Sequence, residues 1–184
     1  MPLLVVLIVV IILVVAYRRI THAIVRHDEH CKSAWQTVDE QLQRRNALVS
    51  HLLEFVGPYA SENTECVESM RDVQRRLDAA NEAGTSEQKM SAAADLTSEL
   101  NTLFANLNNV DELKASESFS QLQEDLSDCD NKLSYARIAF NDCVTEYNDS
   151  ITTPLGRLVA GSKFRKRTRF DEVGDTARYA ALKR

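Results

Sequence analysis

Residues 118–150, SFSQLQEDLSDCDNKLSYARIAFNDCVTEYNDS, place Phe119, Leu122, Leu126, Cys129, Leu133, Ala136, Phe140, Cys143 and Tyr147 at alternating spacings of three and four. That spacing draws one apolar stripe along a single helical face, and neither Gly nor Pro interrupts it. One amphipathic helix cannot hide such a stripe, so the rest of the chain must supply helices to cover it.

Upstream the same spacing runs from Trp35 through Val38, Leu42, Arg45, Val49, Leu52, Val56, Tyr59, Asn63, Cys66, Met70 and Val73 to Leu77. Gly57-Pro58 falls inside it, and a proline there forfeits an amide donor and clashes with the carbonyl four residues back, so the helix kinks or ends. The unbroken stripe favours a kink; helix lengths favour a turn. A second helix opens at Thr85-Ser86-Glu87-Gln88, which has the form of a capping box after Gly84. Its stripe is Met90, Ala93, Thr97, Leu100, Phe104 and Leu107, and the Asn-rich stretch Asn106-Leu107-Asn108-Asn109 ends it. The last helix is expected to start near Ser118, with Gln121 as its reciprocal cap, and to run to about Ser150. Short connections make sequential neighbours antiparallel, and a turn at Gly57 gives lengths of about 35, 24, 24 and 34 residues. The expected fold is therefore all-α, an antiparallel up-and-down bundle of four-helix type over residues 21–153.

Ahead of the bundle, Leu3 to Ala16 are fourteen apolar residues without a break. They cover about 21 Å as a helix, short of a hydrocarbon core of about 30 Å, so Pro2, Tyr17 and snorkelling Arg18 and Arg19 supply the rest. Residues 1–20 read as a single transmembrane anchor. A cleaved signal peptide fits less well, because no side-chain charge precedes the run and no small-x-small site follows it. Arg18, Arg19 and Arg26 lie on the C-terminal side only, which predicts a cell-membrane protein with its N-terminus outside and its C-terminal domain in the cytoplasm. In that compartment Cys31, Cys66, Cys129 and Cys143 are expected as thiols.

Charge is segregated. Residues 28–153 carry 24 Asp or Glu against 10 Lys or Arg, whereas residues 154–184 carry 9 Lys or Arg against 3 Asp or Glu. The acidic body makes nucleic acid a poor partner, and the basic tail suits an anionic membrane. Within it, Lys163, Phe164, Arg165, Lys166, Arg167, Arg169 and Phe170 combine positive charge with two aromatic rings, the composition of a peripheral membrane contact. Packing of this tail onto the acidic bundle rests on the same charge argument and is the alternative.

Trp35-x-x-Val38-x-x-x-Leu42-x-Arg44-Arg45-x-x-Leu48-Val49, then Phe119-x-x-Leu122-Gln123-x-x-Leu126, then Asp130-Asn131-Lys132-Leu133-x-Tyr135-Ala136-Arg137-x-x-Phe140-Asn141-x-x-Val144-x-x-Tyr147-Asn148, and finally Pro154 ahead of Ala160, Phe164 and Phe170-Asp171, together with the apolar N-terminus, resemble the LemA family. The resemblance covers nearly the whole chain. It implies a single-pass bacterial membrane protein with a cytoplasmic up-and-down bundle and no established enzymatic activity. Pro58, Asp130 and Asn109-Val110 depart from its pattern.

Chemistry-bearing constellations are sparse. His27, His30 and Cys31 share a helical face at zinc-ligand spacing, but nothing else completes a site by spacing, and a polar turn of helix is the simpler account. No His has a Glu three residues earlier, which excludes the paired Glu-x-x-His motifs of di-iron bundles. Neither a phosphate loop nor a nucleophile-base pair is recognisable, so no catalytic residue and no cofactor are expected. Arg45 is the unusual residue on the packing stripe, since a desolvated guanidinium needs a partner. With Trp35 level with about residue 150, Asn141, Asp142 or Glu146 would meet it; snorkelling to the bundle edge is the other reading. The expected function is a membrane-anchored scaffold or adaptor in envelope maintenance or membrane organisation, whose partners are the bilayer, other membrane proteins or a second copy of the chain. A sensor bundle that binds a small molecule or metal is the alternative.

Overall fold

The computed structural model describes residues 2–60, 63–161 and 163–170, all of them helix or the turns and one extended segment that join helices. Among the described residues six helices follow in order: α1 (Pro2–Ala60), α2 (Thr64–Glu82), α3 (Ser86–Leu107), α4 (Asp111–Lys114), α5 (Glu117–Thr152) and α6 (Pro154–Ala160). The all-α up-and-down architecture is as expected, with α1 packed chiefly on α5 and α2 on α3.

The longest element settles the question at Gly57-Pro58. α1 continues through both residues and ends at Ala60, and α2 opens at Thr64, so the chain turns just beyond the proline. Pro58 sits in the last turn, where the amide donor it lacks costs the helix least. Asn63 caps α2 by accepting from the amides of Glu65 and Cys66. Because of the turn the stripe shifts register, and Ala60 is buried where Tyr59 was expected.

The capping box on α3 is present on both sides: Thr85 Oγ1 accepts from Gln88 N–H, and Gln88 Oε1 accepts from Thr85 N–H. α5 starts at Glu117, close to the expected Ser118, but is capped differently. Its cap is Ser116, which accepts from the Phe119 amide at 3.3 Å, while Gln121 donates to Asp125 one turn on. Between them the single turn α4 buries Leu113, an apolar residue too isolated for periodicity to reveal.

Two apolar clusters divide the molecule along its length. The far cluster, around Val49, Leu52, Val56, Leu77, Leu96, Leu103, Leu107 and Leu122, is enclosed by all four main helices. The second lies nearer the apolar N-terminal run and contains Ile24, Val38, Leu42, Leu133, Phe140, Val144, Tyr147, Ile151, Ala160 and Phe170. There only the start of α3 reaches, through Met90 and Ala93, and beyond it α6 and the segment 163–170 cover α1 and α5. The boundary expected at residue 153 therefore falls inside one packed body: the end of α5 leaves its apolar face uncovered and α6 folds back over it. Residues 171–184 lie outside the described residues.

At the other extreme, the side chains described between Leu3 and Arg19 are all exposed, and Ile20 is the first to pack on the core. This is the one helix among the described residues that is long and apolar enough to cross a membrane.

Candidate functional site

The helix α5 turns four polar or amphipathic side chains, Arg137, Asn141, Tyr147 and Asn148, toward the extended strap 163–170, and each engages it. Asn148 acts as a surrogate strand edge: its Nδ2 donates to the Arg167 carbonyl and its Oδ1 accepts the Arg167 amide, both at 2.9 Å. Asn141 Oδ1 accepts the Phe170 amide at 2.8 Å, and Tyr147 Oη donates to the Arg165 carbonyl at 3.0 Å. The Arg137 guanidinium stacks 4.1 Å above the Phe170 ring. These contacts satisfy backbone groups that have no helix or sheet to bond them, which is why polar residues stand on an otherwise apolar face.

From α1, Asp28 completes the clasp. Arg167 donates to its Oδ1 through Nε at 3.1 Å and Nη2 at 2.6 Å, and Lys32 reaches Oδ2 at 2.7 Å. Burial alone would raise the Asp28 carboxyl, but the hydrogen bonds from Lys32 and Arg167 outweigh it and hold its pKa below the ordinary value. Arg167 also lies 5.5 Å from the Tyr147 ring centroid, and burial raises the pKa of that phenol.

Of the residues expected to form a membrane contact, the two aromatic rings face the protein. Phe170 is buried and Phe164 packs against the core, so neither ring is offered for insertion. Arg167 and Arg169 are half-buried, leaving Lys163, Arg165 and Lys166 exposed. Two Phe in an amphipathic segment satisfy a protein core as well as a bilayer, and here the uncovered α1 and α5 faces take them.

Arg45 is 3% exposed, and its partner is Asp130: Nε donates to Oδ1 at 2.6 Å, with Nη1 3.5 Å from the Ala93 carbonyl on α3. Asn141, Asp142 and Glu146 are not its partners, because the register of α5 on α1 differs from that expected by about ten residues. Trp35 meets the edge of Phe140, ring centroids 5.3 Å apart, rather than residue 150. The reason is that α6 and the strap, not the end of α5, occupy the level nearest the apolar run. Leu42 and Leu133 are core residues as expected.

Beside Arg45 a cleft of about 260 Å³ is lined by Met90, Asp130, Arg137 and Phe170. It is smaller than ordinary small-molecule sites of about 300–1,000 Å³. His30 is exposed and Cys31 fully buried, so the spaced pair does not converge; His27 instead lies 3.6 Å from Glu146. Among the described residues no three His, Cys, Asp or Glu come together to hold a metal. Burial pushes the Cys31 thiol up to about 11 and raises Cys66, Cys129 and Cys143 as well, the opposite of an activated nucleophile.

An apolar N-terminal helix that continues into an up-and-down bundle, closed by a C-terminal strap on an Arg137, Asn141, Tyr147, Asn148 face, defines a class of all-α bundle proteins. The sequence profile of the LemA family matches residues 34–181, most of the chain, and the protein belongs to that family. No curated protein matches the chain. The family's span includes the strap and the residues of α5 that hold it.

Proposed function

We propose that this protein is a membrane-anchored scaffold or adaptor whose bundle stands in the cytoplasm and recruits other membrane proteins without catalysing a reaction. The observation that carries this reading is the continuity of α1: the described side chains along its apolar N-terminal run are exposed, and the same helix packs in the core from Ile20 onward. From Ile20 to Ala60 it rises about 60 Å, so it would hold the far end of the bundle well clear of a bilayer. Arg18, Arg19 and Arg26, all exposed just beyond the apolar run, favour the cytoplasmic placement. The far end carries Glu65, Glu68, Asp111, Glu112 and Glu117 on its surface, an acidic face suited to a basic partner.

A photo-crosslinking residue at Glu68 or Glu112 of the full-length chain, in native membranes, tests this. A discrete protein adduct is expected, lost when the remaining carboxylates among Glu65, Glu68, Asp111 and Glu112 are replaced by Lys. Adducts that survive the charge reversal, or none at either site, contradict the scaffold reading. The small cleft at Arg45 favours the sensor alternative only weakly, since both its Arg45 guanidinium and its aromatic wall are engaged within the protein.

A further inference from the structure

We propose that α6 is an interfacial helix that seats Leu155 and Leu158 in the headgroup region of the same bilayer that holds α1. The inference rests on the anchor reading above.

Within α6 the buried positions are Gly156 and Ala160, with Val159 half-buried, so its inner face is spent on α1 and α5. Pro154, Leu155 and Leu158 share the adjoining flank, and the two Leu are 62% and 81% exposed. Two large apolar side chains one turn apart, left exposed where the other described Leu residues beyond the apolar N-terminal run are buried or half-buried, are a contiguous patch rather than scattered exposure. On the opposite flank Arg157 is exposed. A helix with apolar and basic flanks is the pattern of a segment lying in a membrane interface.

The register fixes its height. Trp35 meets Phe140 and Ile24 shares a cluster with Ile151, so the end of α5 is level with the mid-twenties of α1. α6 follows, and its Val159 and Ala160 share that cluster with Ile20 and Ile24. A hydrocarbon core of about 30 Å takes about twenty helical residues, and the unbroken apolar run supplies fourteen, so the core ends near Tyr17 to Ile20, where α6 begins to cover α1. Exposed Arg18 and Arg19 on α1 and Arg157 on α6 lie near this level and suit anionic headgroups.

The turn into α6 is fixed in place. A Cβ on Gly156 would lie 2.1 Å from the Ser150 carbonyl oxygen, and Thr153 Oγ1 caps the helix by accepting the Gly156 amide at 3.0 Å. The patch is thus held by the fold beside the bilayer and does not depend on a flexible tail.

Full-length protein in vesicles of anionic and zwitterionic lipid tests the assignment, with Trp35→Phe as background and a single reporter tryptophan at Leu158, at Val10 or at Glu87. Lipids brominated high on the acyl chain serve as quencher. Leu158→Trp should lose about half its emission, as expected for a side chain about 5–10 Å into the headgroup boundary, and Val10→Trp should also be quenched while Glu87→Trp is not. Quenching at Val10 with none at Leu158 overturns the interfacial helix and leaves the anchor intact. No quenching at Val10 overturns both. A blue-shifted but unquenched Leu158→Trp would assign the patch to a protein contact and likewise overturn the proposal.

Discussion

Replacing Asn148 by Ala removes two hydrogen bonds at once, both to Arg167, without touching the apolar core. Each neutral hydrogen bond contributes about 1 kcal/mol net, so the strap should open more easily by about 2 kcal/mol. At about 1.4 kcal/mol per tenfold change, the open population rises about 30-fold. Amide hydrogen exchange followed by NMR or mass spectrometry reads this directly. The informative amide is that of Phe170, bonded to Asn141 and untouched by the substitution. If the strap opens as a unit, Phe170 protection falls by the same factor as that of Arg167. Loss confined to Arg167, with Phe170 unchanged, would refute the view that Asn141, Tyr147, Asn148 and Asp28 hold one cooperative latch.

The remaining expectations concern the core and the charges. Phe140→Ala, which empties the site against Trp35, should lower stability by about 3–5 kcal/mol, while the exposed Glu87→Ala changes it by less than about 0.5 kcal/mol; chemical denaturation compares them. Asp130→Ala should cost about 3 kcal/mol because it strands the buried Arg45, whereas Arg45→Met, which leaves a half-exposed carboxylate, should cost clearly less in the same assay. Asp28 has a folded pKa below the ordinary 3.8, so its contribution is present above that value and is lost as pH falls through the lower folded value; the backbone resonances of residues 165–170 should lose their folded shifts below about pH 3.8 in wild type and show no such acid step in Asp28→Asn.

Most of the helical frame was legible from spacing and caps. The stripe from Phe119 to Tyr147 is the packed face of α5, and Thr85 to Gln88 form the expected box, because both signals are local. Register was not local. It depends on what lies at the ends of α1 and α5, and α6 with the strap claims that space. The mismatch between helices of about 35 residues and partners of about 24 already meant that part of α1 and α5 would lack cover. Asn141 and Asn148 bond the irregular backbone that supplies that cover, and spacing alone gave no sign of it. For Arg45 the stripe left burial and snorkelling both open; the structure buries it, and its partner Asp130 followed from the register and so could not be placed.

The proposed function requires α1 to be at once membrane anchor and bundle core, with the bundle in the cytoplasm. Glu112→Cys at the far end, in a Cys143→Ser background that leaves the three native cysteines buried, places a single reactive thiol there. Intact cells are treated with a membrane-impermeant maleimide before and after permeabilisation, with the protein recovered in the membrane fraction. Labelling is expected only after permeabilisation. Labelling in intact cells, or recovery of the protein in the soluble fraction, would contradict it.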